Sequence, residues 1–254
     1  MNLFDLRGKT VLITGGAHGL GMSMAKGLCK AGAKIILNDF SKEALDKTLA
    51  EYRLAGIDAY GYAFDVTDKS VVIDCINTIE TEVAPIDILI NNAGIIKRSS
   101  IVEMKTRNFT PAINLDLISP FTVSKNVAKG MIERGGGKVI NICSMMSELG
   151  RVSVSAHAAA KRDLKILTLN MVTEWAKYNI QVNGICASST ASIREDEQPC
   201  NKFAISKILE KRWEDSKDLQ DATIFLSSKA SDYVNGHILH VDGGVSGING
   251  KNFN

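Results

Sequence analysis

The sequence predicts an α/β fold, in which a central, mostly parallel β-sheet is doubly wound with helices on both of its faces. Apolar strand-like runs alternate with helical stretches, the order that produces parallel strands joined by right-handed crossovers. Several runs are apolar at every position, as expected of strands covered on both faces. The length of 254 residues suits one such domain, and no repeat or linker divides residues 1–254.

The predicted elements follow in regular alternation until the last quarter of the chain. Strands are predicted at residues 10–14, 34–38, 59–65, 86–91, 138–143, 181–186 and 236–241. Helices are predicted at residues 21–31, 42–55, 70–82, 114–134, 156–178 and 217–227. Residues 187–216 fit this rhythm poorly. We interpret them as a loop-rich segment over the carboxyl ends of the strands, where doubly wound folds bind ligands.

The composition argues against several classes of function. With 30 Lys and Arg against 28 Asp and Glu, the formal net charge is +2, so we expect no nucleic-acid or membrane partner. No apolar run approaches the roughly 18 residues of a membrane span, and the N-terminal residues lack the apolar core of a signal peptide. The 5 cysteines are scattered without C-x-x-C spacing, which favours reduced thiols over disulfides or a metal site. A cytoplasmic protein is therefore expected.

A glycine-rich turn, Thr14-Gly15-Gly16-Ala17-His18-Gly19-Leu20-Gly21, follows the first predicted strand directly. Glycines at this spacing permit a tight turn and let backbone N–H groups approach a pyrophosphate, which the N-terminus of the next helix also attracts. Glycines also serve ordinary turns, but strand, turn and helix follow here in the order that the motif requires. The sequence therefore predicts a Rossmann-type dinucleotide site, with Gly15, His18, Gly19 and Leu20 beside the cofactor.

Asp39 ends the second predicted strand and bears on the choice of cofactor. A carboxylate at this place can accept hydrogen bonds from the adenosine ribose 2′-OH and would repel a 2′-phosphate, which favours NAD. The alternative is an aspartate that forms a turn or begins a helix before Ser41. His18 could add positive charge near a 2′-phosphate. NAD is therefore preferred, and NADP stays open.

Several motifs together resemble those of the short-chain dehydrogenase/reductase family. They are the glycine turn, Asn91-Asn92-Ala93-Gly94, Ser144, Lys161 and Val241-Asp242-Gly243-Gly244. They occur in the family's order and separations, and the resemblance covers essentially the whole chain. Within the family, residues 95–98, 141–151 and 232–244 are most similar to the gluconate 5-dehydrogenases.

The resemblance implies a homotetramer, a nicotinamide cofactor, and interconversion of a hydroxyl and a ketone on a sugar acid. It implies that Lys161 holds the nicotinamide ribose and that Ser144 hydrogen-bonds the substrate oxygen. Along the cofactor, it implies Asp65 and Val66 beside the adenine, and Asn92, Ala93 and Gly94 on the central path.

His157 occupies the position of the family's catalytic tyrosine. It precedes Lys161 by four residues and follows Ser144 by thirteen, as the tyrosine does in the family. Imidazole, with a reference pKa of about 6.5, can transfer protons near neutral pH. It is shorter than a phenol, and a misplacement of about 1 Å can cost on the order of 10² in rate. His157 is therefore either a proton-transfer residue or a histidine that only fills the tyrosine site.

Other positions also depart from the family pattern. Asp116 stands where the family has a catalytic asparagine, and Asn114 lies two residues upstream, so either could take that role. The family's Pro-Gly turn over the nicotinamide is missing after the sixth strand. The remaining departures are at Arg162, Asp163, Glu214, Asp221 and His240.

Three basic residues bear on the substrate. Lys97, Arg98 and Arg151 could bind the carboxylate of an aldonic acid, or they could form a solvated basic loop. Two hypotheses for the whole chain follow. It is either a nicotinamide-dependent oxidoreductase, or a catalytically impaired or inactive relative that retains dinucleotide binding.

Overall fold

The computed structural model describes residues 2–188, 205–206 and 208–247. The strands are β1 (Thr10–Ile13), β2 (Lys34–Asp39), β3 (Ala59–Ala63), β4 (Ile88–Asn91), β5 (Gly137–Ser144), β6 (Ile180–Ala187) and β7 (Ile238–Val241). The α-helices are α1 (Gly19–Lys30), α2 (Lys42–Leu54), α3 (Lys69–Glu82), α4 (Thr106–Ile113), α5 (Ser119–Arg134), α6 (Ser155–Trp175) and α7 (Asp218–Ser227).

The strands form one sheet in the order β3-β2-β1-β4-β5-β6-β7, and each neighbouring pair is parallel. The predicted doubly wound Rossmann-type fold is therefore confirmed. The strand order reverses between β1 and β4, which is the switch point where such sheets bind ligands at their carboxyl ends. The prediction of one domain over residues 1–254 stays a prediction.

Burial on both faces explains why the central strands are apolar throughout. In β1, Val11 and Ile13 pack into the core beneath α1, α2 and α7. Leu12 faces the opposite way, into the core beneath α3, α5 and α6. Successive side chains of a strand point to opposite faces, so a sheet covered twice needs apolar residues at each position.

The region before α5 differs from the prediction of one helix at residues 114–134. Helix α4 was not predicted, because Pro111 lies inside it and proline is unfavourable within helices. Asn114–Ile118 then form a π-helical turn before α5 begins. π-Helical turns are rare in proteins, and those that occur are frequently found at functional sites. Here the turn contains Asp116, which is fully buried.

The segment after β6 was predicted to be rich in loops. Residues 189–204 and 207 lie outside the described residues, so only part of that prediction can be compared with the structure. Within the ranges that the structure describes, no helix is long and apolar enough to cross a membrane.

Candidate active site

The glycine turn packs directly against the turn that follows β4. Gly15 has a φ of +62°, and a Cβ atom on it would lie 2.9 Å from the Cα of Ala93. Thr14 fixes this contact, because its Oγ1 accepts hydrogen bonds from the backbone N–H groups of Asn92 and Ala93 at 3.0 and 3.1 Å. The carboxyl ends of β1 and β4 are therefore joined at the switch point.

The N-terminus of α1 has the properties of a pyrophosphate site. His18 precedes the helix, and its side chain makes no capping hydrogen bond to it. Gly19 has a φ of +55°, and within the described residues no atom lies within 4 Å of where its Cβ would be. Open space in front of unpaired helix N–H groups suits an anion. Leu20, in the first turn of α1, is half-buried beside this space.

Asp39 connects the end of β2 to the glycine turn. Its Oδ2 accepts a hydrogen bond from the backbone N–H of Ala17, and its Oδ1 accepts one from that of Ser41, both at 3.2 Å. The carboxylate thus forms the turn before Ser41 and also contacts the glycine turn. Each oxygen keeps a lone pair for a further donor, so the turn role and a ribose role are compatible.

The end of β3 contributes the two residues that the resemblance implies beside the adenine. Asp65 is exposed, and its Oδ1 accepts hydrogen bonds from the backbone N–H and the hydroxyl of Thr67, both at 2.8 Å. Val66 is buried in the core beneath α3. One oxygen of the Asp65 carboxylate, Oδ1, therefore stabilises its own turn.

Ser144 and Lys161 lie on adjacent elements at the same end of the sheet. Ser144 ends β5, where its Oγ accepts a hydrogen bond from the backbone N–H of Met146 at 3.2 Å. Lys161 is buried on α6, and its Nζ donates to the carbonyl oxygen of Ile142 at 2.7 Å. A Cβ on Gly94 would lie 3.6 Å from that Nζ. The lysine ammonium is thereby held between β5 and the turn after β4.

His157 and Asp116 contact one another, a relationship that was not predicted from the sequence. The Nδ1 of His157 lies 2.6 Å from the Oδ2 of Asp116. The other oxygen, Oδ1, accepts a hydrogen bond from the backbone N–H of Ile95 at 2.7 Å. His157 is buried, whereas Asn114 is exposed. The only sequence signal for the pair was that both positions depart from the family pattern.

A buried polar network supports these elements, and it too was not predicted. The amide of Asn91 donates to Ser124 Oγ and to Asn141 Oδ1, both at 2.8 Å. The amide of Asn141 in turn donates to Thr168 Oγ1 at 2.9 Å. The network joins β4 and β5 to α5 and α6, so the helix that carries His157 and Lys161 is fixed to the sheet.

The basic residues predicted near the substrate lie on two loops that contact each other. Lys97 and Arg98 are exposed after β4, and Arg151 is exposed before α6. The backbone N–H of Ser99 donates to the carbonyl oxygen of Ser153 at 3.0 Å. Ser153 has a φ of +65°, which is uncommon for a residue other than glycine. The two loops together place positive charge at one edge of the site.

Residues 9–199 match the family model for short chain dehydrogenases. The chain belongs to that family.

Similar proteins agree with this assignment over nearly the whole chain. A 2-dehydro-3-deoxy-D-gluconate 5-dehydrogenase of Formosa agariphila is 56% identical, with 99% of this chain and 97% of the relative covered. A 5-keto-D-gluconate 5-reductase of Escherichia coli K12 is 43% identical, with 96% and 98% covered. A crystal structure of a gluconate 5-dehydrogenase from Burkholderia cenocepacia, in complex with NADP and tartrate, superposes on this chain with a TM-score of 0.92 at 37% sequence identity. The match covers 97% of this chain and 98% of the Burkholderia chain. The predicted likeness to gluconate 5-dehydrogenases is thereby confirmed.

Two of the positions predicted to depart from the family pattern meet at one carboxylate. Arg162 Nη1 lies 3.2 Å from Glu148 Oε2, and His240 Nε2 lies 3.5 Å from Glu148 Oε1. Lys165 also forms an ion pair with Glu148. Glu148 follows the short 3-10 helix after Ser144. Arg162 and His240 thus tie α6 and β7 to the loop behind the serine.

Glu214, one of the positions predicted to depart from the family pattern, is only 6% exposed. Among the residues that the structure describes, neither carboxylate oxygen has a hydrogen-bond partner of regular geometry. Burial raises the pKa of Glu214 to about 8, against a smaller opposing effect of the Ser188 backbone N–H. Ser188 follows β6, at the place where the family's Pro-Gly turn is expected. The next residues, 189–204, lie outside the described residues. Asp163 and Asp221 are exposed.

Proposed function

We propose that this protein is a nicotinamide-dependent oxidoreductase that interconverts a hydroxyl and a ketone on a gluconate-type sugar acid. One observation carries the proposal: Lys161 and the Asp116–His157 pair meet around Gly94, at the sheet end that also carries the glycine turn. This arrangement supports proton transfer by these residues beside the proposed dinucleotide site. The substrate class rests on the relatives, which act at position 5 of gluconate-type acids by their names.

The cofactor is proposed to be NAD or NADP, with NAD preferred. The open space before α1 and the close approach at Gly15 suit the pyrophosphate. The buried Asp39 carboxylate next to the Ala17 N–H favours a ribose hydroxyl over a 2′-phosphate, because the phosphate would bring a second negative charge close to the carboxylate. The Burkholderia relative contains NADP, so the preference has to be measured for this chain.

The roles of the site residues follow from their positions. The nicotinamide, when bound, donates or accepts the hydride. Ser144 is proposed to hydrogen-bond the substrate oxygen, Lys161 to hold the nicotinamide ribose, and His157 to exchange the proton of the substrate oxygen. Asn92, Ala93 and Gly94 line the path between the glycine turn and these residues.

The substrate carboxylate is proposed to bind near the basic loops. Lys97 and Arg98 make no hydrogen bond or ion pair within the described residues, so their charges are available to an anion. The tartrate in the Burkholderia relative is itself a small hydroxy acid.

A homotetramer in the cytoplasm is proposed for the assembly. Four apolar side chains of the π-helical turn, α5 and α6 are exposed in the single chain, namely Ile118, Phe121, Ile166 and Leu169. Exposed apolar residues grouped on two neighbouring helices are typical of a subunit interface.

Titration with NADH and NADPH, followed by turnover assays, tests the proposed function. Quenching of protein fluorescence reports binding, and absorbance at 340 nm reports reduction of 5-keto-D-gluconate or oxidation of 2-dehydro-3-deoxy-D-gluconate. We expect binding and turnover, with turnover lost in Ser144→Ala. Binding without turnover on either acid would support the inactive relative. No binding of either cofactor would overturn both hypotheses.

A further inference from the structure

We infer that Asp116 and His157 form a dyad, in which Asp116 positions His157 so that the Nε2 of the imidazole exchanges the substrate proton. The inference rests on the proposed function and specifies its proton-transfer step. It explains why both positions depart from the family pattern in one chain, since an aspartate next to a histidine does different work from an asparagine next to a tyrosine.

The hydrogen-bond donors around Asp116 determine the imidazole tautomer. As a carboxylate, Asp116 can only accept hydrogen bonds. Its Oδ1 accepts from the Ile95 N–H at 2.7 Å, and its Oδ2 lies 2.6 Å from the Nδ1 of His157. Nδ1 therefore carries a proton, and whenever the ring is neutral Nε2 has a lone pair. This assignment follows from the network of donors and acceptors.

The location of the pair makes the tautomer relevant to chemistry. The oxygen Oδ1 of Asp116 lies 3.1 Å from where a Cβ on Gly94 would be, and Lys161 Nζ lies 3.6 Å from the same point. Asp116 is fully buried, and His157 is 7% exposed. The carboxylate is thus shielded from water, and its hydrogen bond to the ring is stronger than it would be on the surface.

The oxidation step can be written with this geometry. The hydroxyl proton of the substrate would move to Nε2 of His157, while the carbon-bound hydrogen would leave with both electrons of the C–H bond, as a hydride that a bound oxidised nicotinamide would accept. A ketone and an imidazolium remain, and the Asp116 carboxylate stabilises the positive ring, as a carboxylate does for the histidine of hydrolytic triads. Loss of the Nε2 proton to solvent restores the site, and reduction follows the reverse course.

Asp116→Asn separates this role from a merely structural one. The Ile95 N–H still needs an acceptor, so the amide oxygen faces it and the amide NH₂ faces His157. Nδ1 must then accept, and the ring proton moves to Nε2, where the lone pair is lost. An asparagine therefore keeps the shape and the hydrogen bonds but reverses the tautomer.

Nitrogen-15 NMR of histidine-labelled protein measures the tautomer without turnover. The chain has 4 histidines, and the signal absent from His157→Tyr identifies the imidazole of interest. We expect the proton on Nδ1 in the wild type and on Nε2 in Asp116→Asn. Asp74→Asn, at an exposed position on α3, is the matched control and should leave the tautomer unchanged. A wild-type His157 with its proton on Nε2 would overturn the dyad.

Turnover in a double-mutant cycle tests the chemistry. Asp116→Asn should lower kcat by on the order of 10²–10⁴. His157→Tyr alone should not restore a family-like rate, because it leaves Asp116 Oδ2 buried without its donor. Asp116→Asn/His157→Tyr, which recreates the family pair, should exceed both single variants. Single variants that equal the wild type, or a tyrosine variant faster than the double variant, would contradict the dyad. Wild-type protein that binds NADH and has Nδ1 protonated, yet turns over neither acid, would overturn the proposed function instead.

Discussion

The Oδ2 of Asp39 accepts a hydrogen bond from the backbone N–H of Ala17 at 3.2 Å, so the end of β2 is bound to the glycine turn. In the proposed cofactor site, this buried carboxylate would accept hydrogen bonds from a ribose 2′-OH and would repel a 2′-phosphate. We expect Asp39→Ser to raise the affinity for NADPH relative to NADH by about tenfold or more, since a hydrogen bond to a charged group is worth about 1.5–3 kcal/mol. Fluorescence titration with both cofactors gives the ratio.

Asp65→Ser is the control for this change in cofactor preference. Asp65 is exposed, and its carboxylate serves the hydrogen bonds to Thr67. The same substitution there should leave the ratio of affinities near that of the wild type. Equal shifts in the two variants would contradict a specific role of Asp39.

Gly21 provides a test of the glycine turn. A Cβ there would collide with the carbonyl oxygen of Gly15 and would lie 2.6 Å from the amide nitrogen of Asn92. Gly21→Ala should therefore push the two turns apart and weaken cofactor binding by at least tenfold, measured by the same titration. Gly150→Ala is the control, because nothing in the described residues lies within 4 Å of its Cβ position. Unchanged binding in Gly21→Ala would count against the proposed pyrophosphate site.

His157 should also matter for stability. His157→Phe removes the donor to Asp116 Oδ2 and leaves that buried oxygen without a hydrogen bond, which costs about 1–3 kcal/mol in the free energy of unfolding. Urea unfolding at fixed protein concentration measures this cost, since assembly also affects stability. His237→Phe, at an exposed histidine, should change stability little. Asp116→Asn/His157→Phe should recover part of the loss, and no recovery would contradict a cost that arises from the buried charge.

The fold could be predicted from the sequence because the strands carry a strong physical signal. Val11, Leu12 and Ile13 must all be apolar when cores lie on both faces of the sheet, so β1 stands out as a continuous apolar run. Helix α4 gave no such signal, because it includes Pro111 and has just one buried residue, Ala112. Its existence depends on packing against α6 and the π-helical turn.

The candidate site could be predicted only residue by residue. Motif spacing identified Ser144, His157 and Lys161, and it identified Asp116 as a departure. The contact between Asp116 and His157 joins positions 41 residues apart, and it depends on a π-helical turn that apolar periodicity does not report. The sequence alone leaves His157 either as a proton-transfer residue or as a histidine that only fills the tyrosine site. The contact between Asp116 and His157 in the folded chain supports the proposed dyad, which neither position indicated by itself.

Glu214 should make the stability of the protein depend on pH. Burial raises its pKa from 4.5 to about 8 in the folded chain, so the folded state holds a proton that the unfolded state releases. The contribution of Glu214 to the free energy of unfolding should therefore be greatest below about pH 4.5, where the folded and unfolded chains both hold the proton. It should fall as the pH rises towards about 8. Glu214→Gln should remove this fall and stabilise the protein at pH 8 by about 2–4 kcal/mol, because the buried amide carries no charge.

Urea unfolding at several pH values between 5 and about 8.5, spanning the Glu214 transition, measures this dependence. Glu210→Gln is the matched control, since Glu210 is an exposed carboxylate on the same segment and pairs with Arg212. A charge lost at an exposed position changes stability little, so this variant should follow the wild-type curve. If Glu214→Gln also follows that curve, the Glu214 carboxylate is compensated by a partner in the folded protein, and its buried charge does not determine the pH dependence.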